Sequence, residues 1–293
     1  MSESIFPVGL VATEFDLLEW SLVSKWLLIF GSGVLSMSLR TAPFAIIRKL
    51  GVFGVIGTSF LIGWLLSGSL GAGFFCASTW LLLPWLEILT RVRKLVLPVD
   101  KTLYHKTPPN ADAFPSLEEF TEEIEGEGFE YMDDLGWEGP DSKQFYRLNY
   151  HAADRAQATI CFIEQQNIAF YFLGVTSRSV DGKVWTTWNY PFGDSLRQSP
   201  DLRINRLRGE LTFFALYESH RDFLHQNRVA TAGLEVLDSE AMQKAIEGDL
   251  RDQVNFNLTT GILRKNLAGE VRYSWRGLFF LWVQFLREFV RIF

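Results

Sequence analysis

The side chains able to move protons or hold a metal ion are few. The chain has four histidines, His105, His151, His220 and His225. His220 and His225 lie too far apart in sequence to share a helix face at i, i+4. Glu218, Asp222 and His225 do share one, and with His220 they form a candidate group for acid–base chemistry or metal binding. A solvated helix face with i, i+3 and i, i+4 pairs gives the same spacing, and no cysteine or second histidine completes a ligand set. The two cysteines, Cys76 and Cys161, build neither a disulfide framework nor a Cys-rich metal site.

Other catalytic signatures are missing. No phosphate-binding loop, dinucleotide fingerprint, nucleophile elbow or zinc-protease helix occurs. The nearest glycine string, Gly126-Glu127-Gly128, stands among carboxylates that repel phosphate. No cofactor and no metal are therefore expected. The most unusual local cluster is Trp185-Thr186-Thr187-Trp188-Asn189. On a strand, Trp185 and Thr187 face one way while Thr186, Trp188 and Tyr190 face the other. An open aromatic face there would bind a ligand or partner, with Arg147, Asn149 and Asn189 as polar candidates beside Trp185 and Trp188. Ordinary sheet packing explains the same residues. The carboxylates from Glu118 to Glu127 offer a surface for a basic partner, or simply a solvated helix face. No motif ties the chain to a known family.

These residues need elements to position them, and the chain divides sharply. It is 48% hydrophobic with a formal charge of -6, from 28 Lys+Arg against 34 Asp+Glu, which excludes a disordered chain and a nucleic-acid binder. From Leu50 to Leu86 there is no charged side chain. That run is roughly twice the ~20 residues of one membrane span. Ser67-Gly68-Ser69 supplies a turn, so two helices are expected near 46–66 and 70–90. Trp64, Trp80 and Trp85 suit interfacial depths. Gly51, Gly54 and Gly57 recur at i, i+3 and i+6, and close packing within the hairpin is expected of them. Arg40, Arg48 and Lys49 precede the hairpin and Arg91, Arg93, Lys94 and Lys101 follow it. Basic flanks stay in the cytoplasm, so the chain after Leu97 is expected there. A third, imperfect span is expected near 17–39, where Glu19 and Lys25 interrupt the apolar run. No basic stretch at the start suggests a cleaved signal.

Beyond Leu97 the pattern is that of an α+β module over 98–265. Ser116 and Glu119 form a capping box for a helix to about Glu125, ended by Gly126 and Gly128. Strands are expected at Phe145–Tyr150, Thr159–Ile163 and Ile168–Val175. Asp181-Gly182 reads as a type I′ turn into Val184–Tyr190, and hairpin connections predict an antiparallel sheet. Two helices follow, Leu211–Gln226 and Ser239 to about Leu258, and are expected to cover one sheet face. Leu211, Phe214, Leu216, Phe223 and Leu224 make the apolar stripe of the first. The segment 266–293 ends in an aromatic, charge-interrupted stretch from Trp275, expected as an interfacial amphipathic helix.

The whole reads as a multi-pass cell-membrane protein, resembling in layout alone the bacterial inner-membrane proteins with one cytosolic module. The lipid bilayer is its first partner, and a protein partner or self-association is the second. Its expected role is binding a partner or small ligand without catalysis. The alternatives are a membrane-surface enzyme using the region of His220, Asp222 and His225 on a lipid or small substrate, and a channel or transporter subunit. Against the last, the hairpin carries no intramembrane ionisable residue.

Overall fold

The computed structural model describes residues 20–139, 142–165, 168–209 and 212–291. Their contacts define two units, one of the chain up to Thr90 with the segment from Trp282, the other from Arg91 to Leu281.

In the first unit, Leu22–Arg40 (α1), Ala45–Ser67 (α2) and Leu70–Thr90 (α3) are helices, each long and apolar enough to cross a membrane. The weakest of the three sequence segments thus forms a full helix. Its start is fixed by Ser21, whose hydroxyl accepts the Ser24 amide at 3.2 Å. The part of the expected 17–39 segment before Trp20 lies outside the described residues. Gly68 takes φ +70° and sends its N–H to the Trp64 carbonyl, ending α2 where the small-residue turn was anticipated.

The glycine stripe works differently from the hairpin packing read from its spacing. A Cβ on Gly51 would lie 2.8 Å from the Ser36 carbonyl oxygen, one on Gly54 would overlap the Ser36 side chain, and Gly57 meets nothing within 4 Å. Gly51 and Gly54 thus admit α1, which as a complete helix competes for the small-residue face. The hairpin closes instead at Gly73 against Phe60 and at Gly63 against the Ala72 carbonyl and Cys76. Two polar bonds tie the three helices, Thr58 Oγ1 to Ser32 Oγ at 3.2 Å and Trp80 Nε1 to Ser59 Oγ at 2.9 Å. Pro84 lies inside α3 and withholds the N–H that the Trp80 carbonyl would receive. One residue along, the Leu81 carbonyl accepts Trp282 Nε1 at 3.0 Å, and Trp85 meets the Trp282 ring edge-on. Trp282 belongs to Trp275–Arg291 (α7), a strongly amphipathic helix.

The second unit is built on a sheet of Tyr104–His105 (β1), Glu130–Glu138 (β2), Ser142–His151 (β3), Ala156–Gln165 (β4), Ile168–Arg178 (β5), Val184–Trp188 (β6) and Leu202–Arg206 (β7), in chain order. A small antiparallel pair, Leu263–Lys265 (β8) and Val271–Tyr273 (β9), follows. The wholly antiparallel expectation fails at β7, which runs parallel to β6. The intervening loop returns the chain to its starting end before β7 begins. Asn257 holds that loop by both amide atoms, accepting the Arg197 N–H and donating to its carbonyl, each at 2.8 Å.

The Asp181-Gly182 turn also departs from type I′. Only Gly182 takes a positive φ (+83°), and its N–H reaches the Ser179 carbonyl at 2.9 Å. That is a type I turn closed by a left-handed glycine, the usual three-residue hairpin loop.

Three helices flank the sheet: Leu117–Gly126 (α4), Phe213–Gln226 (α5) and Ser239–Thr259 (α6). They cover both faces, not one. Phe145, Ile160, Leu173 and Val175 alternate onto the face packed by Ile124 of α4 and by Phe213 and Leu216 of α5. Leu135, Leu148 and Tyr150 alternate onto the other, where Met242 and Ile246 of α6 pack. Ser116 precedes α4 as read, but its ψ of 6° is not that of a capping residue and its side chain makes no cap bond. Leu211 lies outside the described residues, and α5 begins at Phe213 behind the Thr212 cap. The helical period counted from Phe213 turns Tyr217 and His220 inward and leaves Phe214 exposed.

Candidate functional site

His220 enters the sheet from the inner stripe of α5 and is 1% exposed. Its Nε2 lies 3.1 Å from Ser177 Oγ on β5, and its Nδ1 lies 3.1 Å from Thr187 Oγ1 on β6. The Ser177 hydroxyl gives its one hydrogen to the Arg155 carbonyl, so it accepts from Nε2–H, and Thr187 donates to Nδ1. Both ring nitrogens are thereby used. Burial pushes the imidazole pKa down to about 4, against an opposing pull from the Asp154 carboxylate. A neutral histidine saturated by two hydroxyls fastens helix to sheet and has no lone pair left for a substrate.

Above it lies an open cleft of about 480 Å³. Its walls come from α5, from the β3–β4 turn at Asp154 and from the stretch after α5 that carries Val229 and Thr231. Glu218, Asp222 and His225 meet here as their shared face implied, all exposed. The organising group is one the spacing did not mark, Asp154. Tyr217 Oη donates to Asp154 Oδ2 at 2.5 Å, and the Asp154 N–H donates to His151 Nδ1 at 3.1 Å. Burial first, and then the Asp154 bond, raise the Tyr217 phenol above its ordinary pKa, so it remains a donor. Arg221 Nε stands 3.8 Å from Asp154 Oδ2, with its guanidinium 5.8 Å from the centre of the Tyr217 ring. The turn is held by Arg155, which takes φ +49° and donates to the Leu234 carbonyl at 2.6 Å. Among the described residues no group of three His, Cys, Asp or Glu is placed to hold a metal ion.

The structure does not gather the five sequence candidates for ligand binding into one place. Arg147, Asn149 and Trp185 are on the α4–α5 face, and Trp188 is on the other. Arg147 is paired with Asp134 of β2. Trp185 is buried, with its indole N–H on Ser179 Oγ at 2.9 Å and its ring edge-on to Phe223. Trp188 packs among Phe172 and Tyr190. Asn189 Oδ1 accepts the Leu173 N–H at 2.7 Å, a strand-end clasp. Asn149 is 0% exposed, and neither its amide nitrogen nor its oxygen has a partner among the described residues. An unpaired buried amide costs about 1–3 kcal/mol, whereas an apolar group of similar shape does not. Asn149→Leu is therefore expected to raise the thermal midpoint of the full chain in detergent; a lowered midpoint would mean that the amide is satisfied in solution.

Fold and site together define a class: an α+β unit with helices on both faces of a mixed sheet, preceded by three apolar helices and bearing a polar cleft beside α5. Compared with known protein families, curated proteins and solved structures, the chain matches none of them.

Proposed function

We propose that this chain is an integral membrane protein whose α+β unit lies in the cytoplasm and binds a ligand or partner in the cleft beside α5, without catalysing a reaction. The membrane part of the reading is supported by α1, α2 and α3, each of spanning length and composition. Orientation follows from charge. Arg48 and Lys49 stand at the start of α2, Arg91, Arg93 and Lys94 follow α3, and the turn between them carries none. Three spans then put the chain's start outside and the region after Leu97 inside. The terminal helix α7 fits the bilayer surface, since Arg276, Arg287 and Glu288 gather on one side of it and Leu278, Phe279, Trp282 and Phe285 on the other.

One observation carries the binding reading. The cleft is open and charged, while the histidine beneath it is saturated by Ser177 and Thr187. Such a site can hold a polar group, and the buried histidine at its base is already committed to two hydroxyls.

Thiol labelling tests the topology. With Cys76 changed to Ser, Ser69→Cys should react with an impermeant maleimide on intact cells and Gly269→Cys should not. The reverse pattern overturns the orientation, and extraction of the protein by alkaline carbonate overturns the membrane reading. Native mass spectra of gently extracted full-length protein test binding. An added mass or cross-linked partner should be present in the wild type and lost in Asp154→Asn. If both spectra show the bare chain and neither cross-links, the cleft is not a binding site.

A further inference from the structure

We infer that the group bound in this cleft is an organic ammonium carried on an apolar stem; the inference rests on reading the cleft as a binding site. The electrostatic field of the cleft favours a cation. Asp154, Glu218 and Asp222 line the cleft against a single permanent cation, Arg221. An anionic ligand meets net repulsion there, and a cation meets attraction.

The geometry around Tyr217 favours the same charge. Its buried ring already faces a cation, the Arg221 guanidinium, and its hydroxyl fixes the Asp154 carboxylate beside it. A carboxylate next to an aromatic face is a seat for positive charge. Arg221 already occupies that seat, but poorly. Its 3.8 Å approach to Asp154 is longer than the 2.7–2.9 Å typical of a charge-assisted hydrogen bond. Its side chain is also 63% exposed. Exposed pairs of this kind contribute little, so an incoming cation displaces Arg221 at small cost. Arg221 is thus an internal stand-in for the ligand.

Ala156, Leu224 and Val229 give the cleft an apolar portion beside the carboxylates. An alkyl stem fits there while its ammonium reaches Asp154. A free alkylamine and a lysine side chain presented by a partner protein share this chemistry.

The test uses full-length protein in lipid nanodiscs, with saturation-transfer NMR of n-butylammonium, n-butanol, Nα-acetyl-lysine amide and inorganic phosphate. Butylammonium is expected to bind and butanol is not. Asp154→Asn should abolish binding, and Tyr217→Phe should weaken it. Arg221→Ala should tighten it by about 2- to 5-fold, the weight of the exposed pair it removes. Tighter binding of the lysine amide than of butylammonium points to a protein-borne lysine, and the opposite order to a free amine.

Loss of binding in Arg221→Ala, equal affinity for butanol, or binding of phosphate in place of butylammonium overturns the inference. Phosphate binding that depends on Arg221 would leave the cleft a binding site and make its ligand anionic. A wild-type added mass or cross-link that survives Asp154→Asn would remove the cleft reading itself. Thermal midpoints of each variant separate lost binding from lost folding.

Discussion

Acidification from pH 7 to about 4 should destabilise the α+β unit by about 3 kcal/mol through His220 alone. The imidazole moves from 6.5 to about 4 on burial, and each unit corresponds to about 1.4 kcal/mol. The sign follows from the neutral form being the native one. Between those two values the unfolded chain takes up a proton that the folded chain refuses, so stability falls as pH drops through this window and levels off below it. Urea midpoints of the full chain in detergent at pH 7, 5.5 and 4.5 read the effect. His220→Gln is less stable at pH 7, because the ring's packing goes, but it should lack this part of the slope. Parallel slopes for wild type and variant would show that another group titrates in the window.

The same residue shows how far sequence reasoning reaches. Its position on a helix was legible from the 3.6-residue period, and so were the helix itself and its neighbour α6. Which way it points was not. That depends on which side of α5 packs on the sheet, and the side that does so carries Phe213, Leu216, Tyr217 and His220 and leaves Phe214 exposed. Its partners Ser177 and Thr187 lie on strands whose register no local pattern specifies. The apolar helices were the most legible part, because an uncharged run of that length has few alternatives and Ser67-Gly68-Ser69 is the obvious place to turn.

Strand β2 was the least legible. It reads EYMDDLGWE, with carboxylates where a strand pattern calls for apolar residues, and the register shifts between Tyr131 and Asp133. Missing β2 meant missing the cross-strand partner that gives Arg147 its role. The direction of β7 was hidden for a similar reason, since the loop before it is held by Asn257, which lies far along the chain on α6. The cleft likewise depends on a tyrosine and an aspartate that meet only when α5 packs on the β3–β4 turn. In each case a residue distant in the sequence sets what the element does.

Separating Arg147 from Asp134 is the other large effect. The pair is bidentate, Nε to Oδ1 at 2.9 Å and Nη2 to Oδ2 at 2.8 Å, with Nη1 on Thr121 Oγ1 at 3.0 Å. The two side chains are only 14% and 5% exposed. Asp134→Ala leaves a buried guanidinium without its counter-charge, which costs about 3–5 kcal/mol. Replacing both partners, as Asp134→Leu with Arg147→Met, should recover most of that loss, because desolvating the two ions consumes much of what their attraction returns. Urea midpoints of the two single variants and the double one measure the coupling. A single-variant cost below about 1 kcal/mol would mean that water screens the pair as it does at a surface. The outcome also decides how Arg147 is to be understood. Three of its donors are committed to Asp134 and Thr121, and its guanidinium lies 5.7 Å from the Tyr131 ring centre. A binding defect in Arg147→Ala that the double replacement restores is therefore a defect of folding, and one that persists in the stable double variant belongs to the ligand.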